Sequence, residues 1–239
     1  MNIWFAIPVH SSVIDQAVET FAQWRERGYR CAARVDTPAD FCRLREEGVD
    51  LIKYAGQWEG YASAVNDLCR SLDRPHAIGK PVWYPDIIVT GGHDHSPDPN
   101  HTADEIGHQF RERFPDLCGV MQPTGDGFPG NGHAATSPWI GRGFIERFYG
   151  GKGPFWPGYF HFNCDCELRE VAMAAGCYQE RPDLSHHHAH WTRTTGTRPD
   201  HLMRAADAAA KDKALCDERR AAGWPGIAIA SPQNRSRPT

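Results

Sequence analysis

The chain has 239 residues, of which 40% are hydrophobic and 23% are charged, and its formal net charge is -4 at pH 7. This length is enough for one large domain or two closely joined halves, and the composition excludes a disordered or fibrous protein. The net charge provides no overall attraction to nucleic acid or to an anionic membrane.

The first apolar run has no basic segment before it and stops at Pro8, far short of the roughly 20 apolar residues that span a membrane. No membrane segment is therefore expected. The eight cysteines stand mostly in apolar stretches, where free thiols pack as small hydrophobes. We expect them to be reduced, and the protein to be cytoplasmic.

Segments with strand-like and helix-like patterns alternate along the first half of the chain. Strands are predicted at residues 3–9, 29–35, 49–54, 86–90 and 117–121. Helices are predicted from Ser11 to Gly28, from Thr37 to about Gly48, and at residues 61–72 and 103–114. This alternation predicts the α/β class, with a mostly parallel sheet flanked by helices and a Rossmann-like half at residues 1–124.

The second half, residues 125–225, differs from the first in composition. Glycine and proline are dense up to Gly158, aromatic residues gather at residues 139–160, and four histidines fall at residues 186–190. Long loops of this kind usually carry function. A last helix is predicted at about residues 200–222, and residues 226–239 are expected to form a flexible tail.

The first candidate site follows the predicted strand at residues 86–90. Ligands of open parallel sheets bind beyond the carboxyl ends of the strands, so Asp94 is a candidate ligand for Mg²⁺ or Mn²⁺. His93 and His95 flank it and are further candidates as ligands or as supporting hydrogen-bond donors. The alternative is that Asp94 and Asp98 only shape a Gly/Pro-rich turn.

The second candidate site is the segment at residues 159–168, where an aromatic strand is predicted to enter a helix. Asp165 and Glu167 fall in the first turn of this helix. A carboxylate there can act as a general base that deprotonates an acceptor hydroxyl, in a single displacement that inverts configuration. The alternative is that the two carboxylates only stabilise the positive end of the helix dipole.

The third candidate site is the histidine-rich segment at residues 183–191. Imidazole groups suit Mn²⁺, Fe²⁺, Ni²⁺ or Zn²⁺, so at least one of these histidines is expected to bind metal. The alternative is an exposed polar loop with adventitious metal affinity.

In this order and at these distances, the three segments resemble the pattern of glycosyltransferase family 2 within the GT-A fold, over about residues 3–225. The resemblance implies a nucleotide-sugar donor, a UDP-sugar being favoured, and a divalent cation, Mn²⁺ or Mg²⁺. It assigns the donor site to the Rossmann-like half and the acceptor and catalytic site to residues 125–225. The donor-site residues expected from it are Pro8, His10, Asp36, Asn66 and His93.

The same resemblance also implies which residues bind the metal, act as the base and bind the acceptor. The DxD motif of the family corresponds to His93-Asp94-His95, of which only the central carboxylate is kept. Metal ligands are then Asp94 and His188, with His190 as a further one, and the base is Asp165, with Glu167 as the alternative. The acceptor is expected at Trp139, Arg142, Trp156 and Tyr159, and it is a saccharide, a protein or a modified base in DNA.

Two other functions are compatible with these residues. A metal-dependent hydrolase would use Asp94, Asp165 and the histidine-rich segment to activate water, but the chain has no HExxH motif. A GT-A-like module that binds nucleotide or glycan without transfer is the other, and the presence of Asp165 speaks against it.

Overall fold

The computed structural model describes residues 1–72, 85–194, 196 and 202–227. Within them there are nine strands: β1 (Ile3–Pro8), β2 (Arg30–Val35), β3 (Leu51–Tyr54), β4 (Ile87–Val89), β5 (His95–Ser96), β6 (Val120–Pro123), β7 (Trp139–Gly141), β8 (Tyr178–Arg181) and β9 (His187–His188). The α-helices of the same residues are α1 (Ile14–Glu26), α2 (Pro38–Glu46), α3 (Tyr61–Leu72), α4 (Ala103–Arg113), α5 (Arg142–Arg147), α6 (Cys164–Ala174) and α7 (Met203–Ala221).

Seven strands form one central sheet in the order β3-β2-β1-β4-β7-β6-β8. Only β7 runs antiparallel to its neighbours β4 and β6, and the other strand pairs are parallel. Strands β5 and β9 form a separate antiparallel pair. The predicted α/β class, with a mostly parallel, Rossmann-like sheet flanked by helices, is therefore confirmed.

The first βα unit shows how the sequence builds this sheet. Ala17, Phe21 and Trp24 repeat at helical spacing and are all buried on one face of α1. Trp24 stacks on Phe5 of β1, with ring centroids 4.0 Å apart. The helix ends before Gly28, which takes φ +88°, a conformation that glycine adopts without steric strain. Burial of this aromatic stripe fixes α1 against the sheet.

Two predicted strands differ from the structure. The strand expected at residues 117–121 begins only at Val120, because Leu117 lies in a turn with φ +56° and donates its N–H to the Phe114 carbonyl. The aromatic strand expected before α6 does not form. The N–H groups of residues 160–162 instead donate to the carboxylate of Asp212 on α7.

The central sheet takes strands from both sides of position 124, since β7 and β8 follow it in sequence. The last helix covers Met203–Ala221, close to the predicted span, and residue 200 lies outside the described residues. Most of the predicted tail, residues 228–239, also lies outside them. None of the helices in the described part of the chain has the length and apolar character that a bilayer crossing requires.

Candidate functional site

A cavity of about 550 Å³ opens at the carboxyl ends of β1 and β4. This is the edge at which open α/β sheets bind their ligands, and the volume suits a small organic ligand. Its wall is made by the end of β1, the loop after β4, the loop at residues 128–136, the start of α6 and the segment at residues 188–191. Both Asp94 and Asp165 line it.

Three side chains on one wall of the cavity form a group that we call the metal cluster: Asp94, His95 and His188. One ligand atom from each lies within 4.8 Å of the others. Asp94 Oδ2 is 3.2 Å from His188 Nε2, and Asp94 Oδ1 is 3.3 Å from His95 Nδ1. The two imidazole rings stack with their centroids 3.9 Å apart. One carboxylate and two imidazoles are a donor set that fits a divalent cation.

The metal cluster is held in place from two directions. Pairing of β5 with β9 sets His95 opposite His188, and the Ala189 N–H donates to the Asp94 carbonyl over 2.8 Å. Helix α1 holds the other side, because Trp24 Nε1 donates to the His95 carbonyl over 2.8 Å and the Thr20 hydroxyl donates to the carbonyl of His93. The loop after β4 is therefore fixed before any ion binds.

The electrostatics of the cluster favour the protonation states that bind metal. Burial by itself would raise the pKa of Asp94, but its hydrogen bonds with His188 and His95 hold that pKa well below the usual range. Burial lowers the pKa of His95, which keeps its imidazole neutral at neutral pH. Metal ligands must be deprotonated to bind, so the carboxylate and the neutral ring are ready to coordinate.

His93 and His190 line the cavity beside the metal cluster. Burial lowers the pKa of both imidazoles. His190 Nδ1 lies 2.8 Å from the Thr192 hydroxyl, and its ring centroid is 5.0 Å from that of His188. The structure thus groups Asp94 and His188 as the sequence predicted, but with His95 as the third member in the place expected for His190.

Asp165 lies in the first turn of α6 and contributes to the cavity wall. The helix starts after Asn163, which takes the left-handed φ of +64° that asparagine tolerates. Burial raises the pKa of Asp165, although its carboxylate accepts the Cys166 N–H over 2.9 Å. A carboxylate with a raised pKa is a stronger base, and this suits proton abstraction near neutral pH.

Tyr61 lines the cavity and contacts the end of β4. Its hydroxyl lies 3.0 Å from the Thr90 hydroxyl, at the end of β4. Burial raises the Tyr61 pKa, and the charges of Asp165 and Asp94 both raise it further.

Glu167, the alternative base, is fully buried and does not line the cavity. Arg219 of α7 donates to it twice, from Nε over 2.8 Å and from Nη2 over 2.7 Å, and the Tyr159 hydroxyl donates over 2.7 Å. The Arg219 guanidinium also lies over the Trp156 ring, 3.6 Å from its centroid. Glu167, Tyr159 and Trp156 thus join α6 to α7 and lie away from the cavity.

The other residues expected at the acceptor also lie outside the cavity wall. Trp139 is fully buried in the sheet and donates its indole N–H to His186. The Arg142 N–H donates to the Asp86 carbonyl, at the start of β4, whereas the cavity opens at the end of that strand. Trp139 therefore packs in the core, and the Arg142 side chain pairs with Glu146 over 3.4 Å.

The residues expected at the donor divide into two groups. Pro8, His10 and His93 line the cavity. Asn66 does not, because both ends of its buried amide bond to the Phe155 backbone, over 2.9 and 3.1 Å. Asp36 also lies outside the wall. Burial raises its pKa, against the opposing charges of Arg34 and His10.

The cavity has an aromatic wall that the sequence did not reveal. It consists of Trp58, Tyr61, Phe128, His161, Phe162 and Trp191. The loop at residues 160–162 is held by Asp212, whose carboxylate accepts three backbone N–H groups over 2.8 to 2.9 Å. Tyr61 begins α3 and the other five lie in four separate loops, so no periodic pattern in the sequence links them.

Comparisons with known proteins include a distant likeness in structure. No protein-family model and no curated protein sequence matches the chain. Among solved structures, the chain aligns with the mannosyltransferase Ktr4p from S. cerevisiae at 10% sequence identity and a TM-score of 0.32. The alignment covers 51% of this chain and 38% of that one.

Proposed function

We propose that the protein is a metal-assisted glycosyltransferase, which transfers a sugar from a nucleoside-diphosphate donor to an acceptor hydroxyl with inversion of configuration. One observation carries this proposal: the metal cluster and the half-buried carboxylate of Asp165 share a single cavity at the ligand-binding edge of a Rossmann-like sheet. The resemblance of the sequence to glycosyltransferase family 2 supports it and favours a UDP-sugar donor.

The charge of the cavity supports a metal-bound donor. No lysine or arginine is found among its described wall residues, although it contains two carboxylates. Among these described residues a diphosphate would meet no lysine or arginine, and unbalanced negative charges would repel it. A divalent cation held by Asp94, His95 and His188 would supply the missing positive charge and neutralise the departing diphosphate.

The nucleoside end of the donor fits the side of the cavity formed by β1 and α3. Pro8 ends β1 and His10 follows it, while Trp58 precedes α3 and Tyr61 begins it, so that both contribute aromatic rings. Aromatic faces stack on flat rings and contribute binding energy beyond area burial.

Asp165 acts as the base in this proposal. Its carboxylate accepts the proton of the acceptor hydroxyl as the acceptor oxygen bonds to the anomeric carbon. The bond between that carbon and the diphosphate oxygen breaks in the same step, and the nucleoside diphosphate leaves with the electron pair. A single displacement of this kind inverts the anomeric centre.

The test measures release of nucleoside diphosphate from a panel of nucleotide sugars, with saccharides, peptides and DNA containing hydroxylated bases as acceptors. We expect one donor and one acceptor class to give turnover, which Asp165→Asn abolishes and Glu170→Gln leaves unchanged. Glu170 lies on the same helix in an exposed ion pair with Arg220. Equal turnover by wild type and Asp165→Asn would contradict the assignment of the base.

A metal-dependent hydrolase is the second candidate, since the metal cluster alone could activate water. Under that function the sugar product would appear without any acceptor, at the same rate with or without it. Acceptor-dependent turnover distinguishes the transferase from it.

A further inference from the structure

We infer that Cys118 and Cys177 form a redox-active dithiol, in which Cys118 attacks a low-molecular-weight disulfide and Cys177 completes an intramolecular disulfide bond. Both cysteines are free thiols in the structure. The inference goes beyond the proposed function, because neither residue contributes to the wall of the cavity. It assigns a site of covalent modification to another part of the fold.

Two neighbouring strands bring the cysteines together. Cys118 lies just before β6, and Cys177 lies directly before β8. These strands pair in parallel, with Val120 opposite Tyr178, and the Val120 N–H donates to the Cys177 carbonyl over 2.8 Å. Neighbouring strands lie about 4.8 Å apart, and a disulfide joins Cα atoms that are about 4.4–6.8 Å apart. The two backbone segments are therefore close enough for one disulfide.

The side chains of the pair also interact. The two thiols are hydrogen-bond partners, and this bond lowers the pKa of Cys118 and raises that of Cys177. Cys177 therefore keeps its proton and donates it, while Cys118 carries the thiolate, which is the nucleophilic form. Cys177 is buried and Cys118 is half-buried, so a reagent in solution reaches Cys118 first.

A cation stands beside the sulfur of Cys118. The carboxylate of Asp116 accepts from Arg147 Nη1 over 2.9 Å and from the Cys118 N–H over 3.1 Å, so it holds the guanidinium next to this cysteine. After the hydrogen bond with Cys177, the charge of Arg147 also lowers the Cys118 pKa, and the charge of Asp116 opposes it. Proximity to arginine is typical of reactive cysteines.

The reaction consists of two thiol–disulfide exchanges. The Cys118 thiolate attacks one sulfur of the reagent, and the other sulfur leaves as a thiolate with the electron pair of the broken bond. Cys177 gives its proton to this thiolate, attacks Cys118 Sγ and releases the second sulfur of the reagent. The two cysteines are oxidised to one disulfide, and the reagent is reduced to one thiol and one thiolate.

The dithiol lies at the edge of the sheet opposite the cavity. Strand β7 pairs antiparallel with both β4 and β6, so β4 and β6 run in the same direction. The cavity opens at the carboxyl end of β4, whereas Cys118 precedes the amino end of β6. The dithiol is therefore tested without any ligand in the cavity, and its outcome does not depend on the proposed function.

The experiment incubates the reduced full-length protein with oxidised glutathione at about pH 7, alkylates the remaining thiols and digests the protein with trypsin. Cleavage after lysine and arginine places Cys118 in the peptide 114–142 and Cys177 in the peptide 170–193, each with no other cysteine. Mass spectrometry before and after reduction therefore identifies the bond directly. We expect these two peptides to become linked before any other disulfide forms.

Substitutions separate the roles of the residues. Cys177→Ser should stop the reaction with one glutathione bound to Cys118, and Cys118→Ser should lose both the linked peptides and the bound glutathione. Arg147→Gln should shift the pH midpoint of Cys118 alkylation upward, toward the value of about 8.5 for a free cysteine. Cys42 is the control within the same chain, because it is exposed and would react first if exposure alone set the rate.

Circular dichroism establishes that each variant is folded, and the wild-type reaction requires no variant. Absence of the linked peptides from the oxidised wild-type protein would overturn the inference. A first reaction at Cys42 would also overturn it, as would a glutathione that stays on Cys118 while Cys177 remains free.

Discussion

Replacing Glu167 by glutamine tests whether this residue is structural. The substitution removes the charge that neutralises Arg219, whose side chain is 5% exposed and donates two hydrogen bonds to Glu167. Breaking a buried ion pair from one side costs about 3–5 kcal/mol of unfolding free energy, because the remaining charge stays buried and unpaired. For a chain of this length, that loss lowers Tm by roughly 6–20 °C.

Glu170→Gln is the matched control, because Glu170 pairs with Arg220 between the same two helices. That pair is partly exposed, with 33% of the Glu170 side chain and 44% of the Arg220 side chain accessible. Exposed pairs contribute about 0–1 kcal/mol, so this variant should unfold close to the wild-type temperature. Urea unfolding followed by circular dichroism compares the two variants.

Arg219→Met combined with Glu167→Gln completes the comparison. The double variant removes both charges, so it should be less destabilised than the sum of the two single variants. A Glu167→Gln protein as stable as Glu170→Gln would refute the structural role derived from burial. A stable Glu167→Gln protein without turnover would instead indicate that Glu167 acts in catalysis.

Three further substitutions have expected outcomes. Asp165→Asn should abolish turnover but raise Tm at neutral pH. Burial raises the pKa of Asp165, so its ionisation opposes folding as pH rises, and the gain should vanish below about pH 4. Asp212→Asn should lower the unfolding free energy measured in urea by about 1–3 kcal/mol, since it weakens the acceptor of three N–H groups. Gly60→Ala should cost more than about 1 kcal/mol, because φ is +94° and the new Cβ meets the Phe160 carbonyl. Gly176→Ala, with φ +69° and free space around the Cβ, should cost less in the same assay.

Local patterns in the sequence were sufficient to predict much of the fold. The helix predicted at residues 61–72 is α3, and the apolar stripe of α1 is buried as its spacing indicated. The prediction failed where a distant residue decides the backbone conformation. The aromatic residues before α6 have strand-like composition, but the carboxylate of Asp212, some 50 residues later, takes their N–H groups.

The metal cluster was predictable in part. Asp94 follows a strand at the ligand-binding edge, and His188 lies in a histidine-rich segment, so residue type and position identified both. His95 was named only as a flanking residue, because its place depends on the register of β5 with β9, two residues each and about 90 positions apart. No single-sequence pattern fixes such a register.

The acceptor residues were predicted by residue type alone, and none of the four lines the cavity that contains the metal cluster. Trp139 and Tyr159 have the aromatic side chains that sugar-binding sites use, but both are buried in the core. Most of the aromatic side chains that line the cavity come from loops, where the sequence does not indicate which way a side chain points. Residue type alone therefore does not predict where in the fold a side chain lies.

The most direct test of the central claim is calorimetric titration of the protein with UDP and the other nucleoside diphosphates, in Mn²⁺ and in EDTA. We expect one diphosphate to bind in Mn²⁺, to lose its affinity in EDTA and in Asp94→Asn, and to keep it in Asp165→Asn. Binding of equal strength in EDTA would contradict the role of the metal cluster, and absence of binding by every diphosphate in Mn²⁺ would contradict the nucleotide-sugar site.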